Sequence, residues 1–160
     1  MKKRKIIIIV TTVILIVIDQ LSKILVSNNM SVGESTDIIS GFFSITSVEN
    51  TGAAWGIFSN GTLALGVLSV VFSLLFIKHI IDQKEISKFN VINYSLVLSG
   101  IFGNMIDRFV RGYVVDFLDF KLFSYDFPVF NIADTFIVLG IIFIMIDMLL
   151  VGDKSDSKQK

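Results

Sequence analysis

Two aspartates that border apolar stretches have the residue type and placement for acid–base chemistry. Asp134 lies in "FNIADTFIVLGIIFIMID", which has the composition of a membrane-spanning helix, and Asp116 lies upstream in "GYVVDFLDF". A charge at membrane depth is costly and usually functional. Two carboxylates held close together share one proton, because both cannot ionise easily. The ionised member can then take a proton from water while the protonated member polarises a carbonyl, which is aspartic-protease chemistry.

Other catalytic chemistries have little support in the composition. The chain has no cysteine and one histidine, His79, which we expect to lie in a polar connector, "FIKHIIDQKEISK". Thiol nucleophiles, disulfides and cysteine-ligated metals are therefore excluded, and one histidine cannot build a multi-histidine metal site. We expect no metal, no cofactor and no nucleic-acid partner.

The elements that must position the two aspartates are membrane helices. Of the 160 residues, 53% are hydrophobic, and several apolar runs approach the length of about 20 residues that spans a bilayer. The fold class predicted is an all-α integral membrane protein with four transmembrane helices and a small extracytoplasmic β-containing segment. The predicted bounds are spans at about 6–26, 59–77, 89–108 and 130–148, the β-containing segment at about 27–58, a single membrane domain over 1–152 and a polar tail over 153–160.

The basic start "MKKRK" followed by an apolar run is typical of a signal peptide. The run is long and no convincing cleavage site follows it, so a retained first span is favoured. Lysine and arginine placement sets the orientation: ten lie at the termini or between spans two and three, against three in the other two connectors. Positively charged loops stay in the cytoplasm. Both termini are therefore predicted to be cytoplasmic.

This topology brings the unusual polar residues to one depth, the outer boundary of the membrane. The group consists of Asp19, Lys23, Asn50, Asn104, Asp107, Arg108, Asp116, Asn131 and Asp134. Structural alternatives remain for several of them. Asp19 and Lys23, spaced i and i+4, form an ion pair or contact a substrate. Asp107 and Arg108 could make a structural ion pair elsewhere in the bundle. Asn50 could simply fix a turn in "ENTGAAWG".

Further residues have simpler predicted roles. Asp119 and Asp126 are expected to be solvated loop charges, and Asp147 an end-of-helix charge. Pro128 is expected to open the fourth helix, since proline suits a first helical position. Phe42, Phe43 and Trp55 are expected at headgroup depth, where aromatic rings anchor. The segment 41–58 that carries them could lie on the membrane as a lid over a bound peptide.

Five stretches together resemble the bacterial lipoprotein signal peptidases, also called signal peptidase II. They are "DQLSK" at 19–23, "ENTGAAWG" at 49–56, "GNMIDR" at 103–108, "VVDFLDF" at 114–120 and "FNIADTFI" at 130–137. The resemblance implies that Asp116 and Asp134 are the catalytic pair. It implies that Asn50, Asn104, Arg108 and Asn131 line the site or support the pair, while Asp19 and Lys23 hold helices together.

The resemblance also implies a substrate and a location. The expected partners are prolipoproteins carrying a diacylglyceryl-cysteine, cut just before that cysteine, together with membrane lipid, and the inhibitor globomycin is expected to block the pair. The enzyme would lie in the bacterial plasma membrane with its active site on the extracytoplasmic side. A small proton-coupled transporter is the main alternative, since carboxylates also relay protons, and a membrane scaffold is a second. A transporter would typically place its polar groups near the midplane.

Overall fold

The computed structural model describes residues 2–53, 58, 61–122 and 125–156. Within these ranges, helices and strands follow in the order α1, β1, β2, α2, α3, β3, β4, α4. The helices are α1 (Lys2–Asn29), α2 (Thr62–Asp82), α3 (Lys88–Val110) and α4 (Ile132–Asp156). The strands are β1 (Ser35–Ile39), β2 (Phe43–Asn50), β3 (Val114–Leu122) and β4 (Tyr125–Asp126).

All four helices are long and apolar enough to cross a membrane. Their outward faces carry exposed isoleucine, valine, leucine and phenylalanine side chains. Such faces suit a lipid environment, since water would not tolerate so much contiguous apolar surface. Together with the small sheet, the helices confirm the predicted fold class.

Helix α3 is the centre of the bundle and packs against each of the other three helices. Two of its glycines make close approaches possible. A Cβ atom on Gly100 would collide with the carbonyl oxygen of Ala133, and one on Gly103 would lie 2.5 Å from Oδ2 of Asp19. Small residues at such crossings let backbones approach closely. The first turn of α4 and one end of α1 are thereby drawn onto the same end of α3.

The strands form one antiparallel sheet in the order β1-β2-β3-β4. Strands were predicted only within 27–58, so β3 and β4 correct that prediction. The segment "VVDFLDFKL" is rich in valine and phenylalanine, which fit a half-buried pleated surface, and Val114, Val115 and Phe117 are buried. Asp119 is accordingly not a loop charge: it lies on β3 and accepts a 2.6 Å hydrogen bond from the Thr46 hydroxyl. Asp126 lies on β4.

A tight turn places β3 beside the end of α3. Gly112 adopts a φ of +82°, a conformation that glycine takes up without steric cost. The chain reverses there, and the backbone N–H of Val115 donates to Oδ2 of Asp107 at 3.2 Å. Asp116 therefore emerges next to the end of the helix that carries Asn104 and Arg108.

The start of α4 differs from the prediction. The helix begins at Ile132, and Pro128 lies in the preceding extended segment instead of opening the helix. Phe130 in this segment forms a bridge with Leu118, and its carbonyl oxygen accepts from the Leu118 N–H at 2.7 Å. Pairing with β3 keeps this segment extended, so the helix starts only after Asn131, whose side chain is a better helix cap.

The other predicted ends of helices shift as well. Helix α2 continues to Asp82, so His79 belongs to its last turn and not to a connector, with Nε2 3.4 Å from the Tyr94 hydroxyl. Helix α4 continues to Asp156, into the segment predicted as a tail, and residues 157–160 lie outside the described residues. Asp147 accepts a 2.7 Å hydrogen bond from Asn90 of α3, which ties α4 to α3.

Candidate active site

The first turn of α4 carries Asp134 in a reciprocal cap. The Asp134 N–H donates to the side-chain oxygen of Asn131 at 3.0 Å, and the Asn131 N–H donates to Oδ2 of Asp134 at 3.2 Å. Two backbone donors that the helix leaves unpaired are satisfied in this way. The same exchange fixes the side chain of Asp134, because its carboxylate is one half of the cap.

Asp116 lies on β3 with a relative exposure of 2%. Both of its oxygens accept hydrogen bonds, one from Asn50 Nδ2 at 2.8 Å and one from Asn131 Nδ2 at 2.6 Å. Burial, followed by repulsion from the neighbouring Asp134 carboxylate, raises the pKa of Asp116 from 3.8 to about 7, against the lowering effect of the two asparagine donors and the charge of Lys23. A carboxyl group with a pKa near neutrality can lose and regain a proton at physiological pH.

Asn131 joins the two aspartates. Its amide donates to Asp116, its backbone N–H donates to Asp134, and its side-chain oxygen accepts from the Asp134 backbone. The side chain is fully buried. The two carboxyl groups predicted to act together are therefore held by one residue.

Asn104 of α3 is the second asparagine shared by the site. Its Nδ2 donates to Oδ1 of Asp134 at 2.7 Å, and its Oδ1 accepts from Asn131 at 3.1 Å and from Lys23 Nζ at 2.9 Å. Asn50 makes the turn contact that its sequence left open, since its Oδ1 accepts from the Gly52 N–H at 2.9 Å, and its amide group also donates to Asp116.

The ion pairs beneath the site include the predicted pair of Asp19 with Lys23 and two further pairs of Asp107. Lys23 lies 3.0 Å from Asp19, as one alternative held, and also 3.0 Å from Asp107, with all three side chains fully buried. The other carboxylate oxygen of Asp107 pairs with Arg111, not with Arg108. Asp19 further accepts from the Ala133 N–H at 3.0 Å, which docks α1 on the first turn of α4.

Arg108 faces the site instead of making the ion pair with Asp107. Its guanidinium lies within electrostatic range of both Asp134 and Asp116. Among its own nitrogens, Nε is buried without a hydrogen-bond partner in the described part of the chain, and NH1 makes a long 3.4 Å contact to the Asn104 carbonyl. A buried donor without a partner is costly. It is available to a ligand that offers an acceptor oxygen.

A cavity of about 840 Å³ opens beside the two aspartates. Five of the predicted site residues line it: Asn50, Asn104, Arg108, Asp116 and Asp134. Asn131, Asp19 and Lys23 do not line the cavity, so these three contact the site residues from the side that faces away from it. The rest of the wall is mainly apolar and comes from α2, α3, α4 and the segment before α4. It includes Phe72, Phe76, Val97, Ile101, Phe130, Ile137, Val138 and Ile141.

Two residues of this region were missed by sequence reasoning. Gln20 donates to Asp19 at 3.1 Å and to Asp107 at 3.2 Å, and Arg111 completes the ion cluster. The spacing of Arg111 from Asp107, i and i+4, was a signal for that pair. Within the described residues, no group of three or more metal-ligating side chains could hold a metal ion.

The aromatic residues of the predicted lid are only partly described. Phe43 stacks on Phe120 of β3 with ring centroids 4.6 Å apart, and Phe42 meets the same ring edge to face at 5.7 Å. Both therefore pack on the sheet, although Phe42 remains 43% exposed. Trp55 lies outside the described residues.

Comparison with known proteins gives one consistent result. Residues 11–150 match the family described as signal peptidase (SPase) II. The lipoprotein signal peptidase of Staphylococcus haemolyticus (strain JCSC1435) is 39% identical over 133 residues, covering 83% of this chain and 84% of that protein. The lipoprotein signal peptidase of Staphylococcus aureus (strain bovine RF122 / ET3-1) is 38% identical over 144 residues, covering 90% and 87%.

Solved structures agree with the sequence matches. A bacterial membrane enzyme determined by the in meso method at 2.3 Å resolution superposes with a TM-score of 0.85 and 37% identity, covering 96% of this chain and 92% of that one. A second, at 1.9 Å resolution, gives a TM-score of 0.80 at 37% identity, covering 89% and 92%.

Proposed function

Since the chain belongs to the signal peptidase II family, we propose that it cleaves prolipoproteins with an aspartate dyad, Asp116 and Asp134. Family membership confirms the resemblance read from the five motifs. It makes the protein a multi-pass membrane protease that removes signal peptides from prolipoproteins, and it decides against the transporter and scaffold alternatives. The catalytic type, the lipid requirement and the orientation in the membrane are the proposed parts.

The observation that carries the proposal is the shared hydrogen bonding of the two carboxyl groups. Asn131 contacts both, and the pKa of Asp116 is raised to about 7 by burial and by its neighbour's charge. Such a pair holds one proton as a unit. The ionised carboxylate accepts a proton from water as the water attacks the scissile carbonyl carbon. The protonated carboxyl donates its hydrogen bond to the carbonyl oxygen, on which negative charge develops.

The tetrahedral intermediate then breaks down with proton transfer to the leaving amine. That amine is the amino group of the lipidated cysteine, so the cut falls just before it. Arg108 lines the cavity with an unpaired Nε, and we assign it to an acceptor oxygen of the substrate backbone. Asn50 and Asn104 line the cavity next to the dyad. Each already donates to one aspartate, so they hold the carboxyl groups in position.

The shape of the cavity suits an apolar substrate. Its charged and amide side chains are those of the dyad and of Asn50, Asn104 and Arg108 beside it, and its apolar wall includes residues of α2 and α4 as far along those helices as Phe76 and Ile141. Burial of apolar surface contributes about 25 cal/mol per Å². An apolar signal-peptide segment and the acyl chains of the diacylglyceryl group both gain from such a wall. We propose that the scissile bond sits at the polar end.

We place the dyad on the extracytoplasmic side with both termini in the cytoplasm. The support is the charge distribution, ten lysines and arginines on the side of the termini against three on the other. Acyl chains hold the substrate in the outer leaflet, so a dyad near that surface needs no deep water channel. The segment 41–58 is proposed to cover the bound peptide there. Unchanged turnover in Phe42→Ala and Trp55→Ala would argue against a lid.

The test is a gel-shift cleavage assay in detergent with a diacylglyceryl-modified prolipoprotein. The wild type should cut it, and Asp116→Asn and Asp134→Asn should not, each variant being shown to be folded by its thermal unfolding curve. Asp119→Asn is the matched control, because it removes a carboxylate from the same strand outside the cavity. It should cut as the wild type does.

The substrate itself supplies a second comparison. The same prolipoprotein without its lipid should be cut far more slowly, since it lacks the acyl chains that the cavity binds. Near-full activity of either dyad variant would refute the two-aspartate mechanism. Equal cleavage of both substrate forms would refute the lipid requirement alone.

A further inference from the structure

Lys23 lies behind the dyad, outside the cavity, and it is the largest fully buried side chain of the described residues. Its ammonium group has three N–H donors and three acceptors: Asp19 at 3.0 Å, Asp107 at 3.0 Å and the side-chain oxygen of Asn104 at 2.9 Å. The whole side chain has an exposure of 0%. The bonds to Asp19 and Asp107 belong to the ion cluster. The third reaches a residue that touches the dyad.

That third bond determines which way the Asn104 amide points. An amide can be turned by 180° so that its NH₂ group and oxygen exchange places. If the Asn104 amide were turned, its NH₂ group would face the Lys23 ammonium and the Asn131 NH₂ group, which are both donors. Both contacts would then bring donor against donor, and buried donors without acceptors are costly. The observed form is enforced, and in it Nδ2 must donate to Asp134.

The same constraint passes to the second aspartate through Asn131. One N–H of the Asn131 amide donates to Asn104 Oδ1, which leaves the other aimed at Asp116 Oδ1 at 2.6 Å. One ammonium group therefore orders two amides, and each amide donates to one carboxyl group of the dyad. Donors that favour the ionised form hold the pKa values of carboxyl groups down.

We propose that Lys23 is a positioning residue of the peptidase, which sets the direction of the amide donors on both dyad aspartates and thereby the pH range in which the dyad works. The inference rests on the proposed function, because it assumes that Asp116 and Asp134 carry the reaction. The charged groups that act on the dyad are Lys23 of α1 and Arg108 of α3, and behind them lie Asp19 of α1 and Asp107 and Arg111 of α3. Of these cations, Lys23 alone bonds to an amide side chain that contacts the dyad, within the residues described.

The experiment measures kcat and KM against pH for the wild type, Lys23→Met and Arg111→Met. Methionine keeps the unbranched shape of lysine without its charge. Arg111→Met is the matched control, since it removes one positive charge from the same acid, Asp107, and leaves the Lys23 bond to Asn104 intact. Both variants lose stability, so their unfolding temperatures are recorded alongside the kinetics.

Lys23→Met should move both limbs of the pH profile upward by about 0.5–1 pH unit, because the dyad loses ordered donors. Its kcat should fall about 10- to 100-fold through misplaced groups, while KM stays within about twofold because Lys23 does not line the cavity. Arg111→Met should keep the wild-type profile. If Lys23→Met does not fold, the charge-balanced double variant Asp19→Asn/Lys23→Met takes its place with the same expected profile.

Each other result has a definite meaning. An unshifted profile in a folded Lys23 variant, or equal shifts in the Lys23 and Arg111 variants, would overturn the inference and leave the proposed function intact. Failure of both Lys23 variants to fold would assign the lysine a structural role and overturn it as well. A wild type that cuts no lipidated substrate would overturn the proposed function and this inference together.

Discussion

Replacing Asp116 with asparagine should make the protein more resistant to alkaline pH while destroying its activity. The pKa of Asp116 is about 7 in the folded protein and 3.8 as the ordinary value. Because the folded-state pKa is the higher one, this carboxyl group favours the folded state fully below about pH 4. Its contribution is then lost as pH rises through 7, where the folded protein must hold a buried charge.

The size of the effect follows from the two pKa values. They differ by about three pH units, and each unit corresponds to about 1.4 kcal/mol, so ionisation of Asp116 costs the folded state up to about 4 kcal/mol by pH 8. In a chain of this length, 1 kcal/mol changes the unfolding temperature by about 2–4 °C. The wild type should therefore lose several degrees between pH 5 and pH 8 that Asp116→Asn does not lose.

The assay is thermal unfolding in one detergent at a series of pH values from 5 to 8. Asparagine resembles the protonated acid, because it is uncharged and keeps one carbonyl oxygen as an acceptor for Asn50 or Asn131. The absolute stability at pH 5 should therefore be similar in the two proteins, and the slope with pH is the informative quantity. Asp119→Asn, on the same strand, should keep the wild-type slope. If Asp116→Asn keeps it too, the raised pKa of Asp116 is refuted.

Three more outcomes are expected. Gly100→Ala should lower stability by about 1–3 kcal/mol and reduce kcat, since its Cβ would displace the helical turn of Ala133 that carries Asp134. Gly66→Ala, which meets only the edge of a phenylalanine ring, is the control in unfolding and turnover assays. Asn131→Ala should lower the free energy of unfolding by about 1 kcal/mol or more, because the helix cap is lost, and it should inactivate the enzyme. Protein that remains folded but does not cut the substrate would show that Asn131 acts in the site and not only in the fold. Ile141→Asn should raise KM for lipidated substrate more than it lowers kcat, because it places an amide on the apolar wall; an unchanged KM would remove that wall from substrate binding.

The helices and the identity of the site residues could be predicted because their signals are local. Apolar length predicts a span, and carboxylate, amide and lysine side chains near the ends of spans are unusual enough to be noticed singly. The spacing of Asn131 and Asp134 even contains the capping arrangement that fixes the dyad.

The parts that could not be predicted depend on contacts between distant segments. Strand β3 alternates too weakly to be separated from a loop, and its pairing with β2 and with Phe130 is what makes it a strand. That pairing also moves the start of α4 from Phe130 to Ile132. The bond of Asp107 to Lys23 likewise joins two distant segments, since it forms only where α1 approaches α3 near Gly103.

The buried ion cluster has a consequence for how the protein enters the bilayer. Asp19 and Lys23 are one turn apart on α1, and Asp107 and Arg111 are one turn apart on α3. Each carboxylate thus has a cation on its own helix, so either helix can be inserted with that charge already neutralised before the other arrives. Only when α1 and α3 meet does Lys23 bridge to Asp107. Helix α1 is synthesised long before α3, and it can therefore be inserted into the membrane before α3 is present.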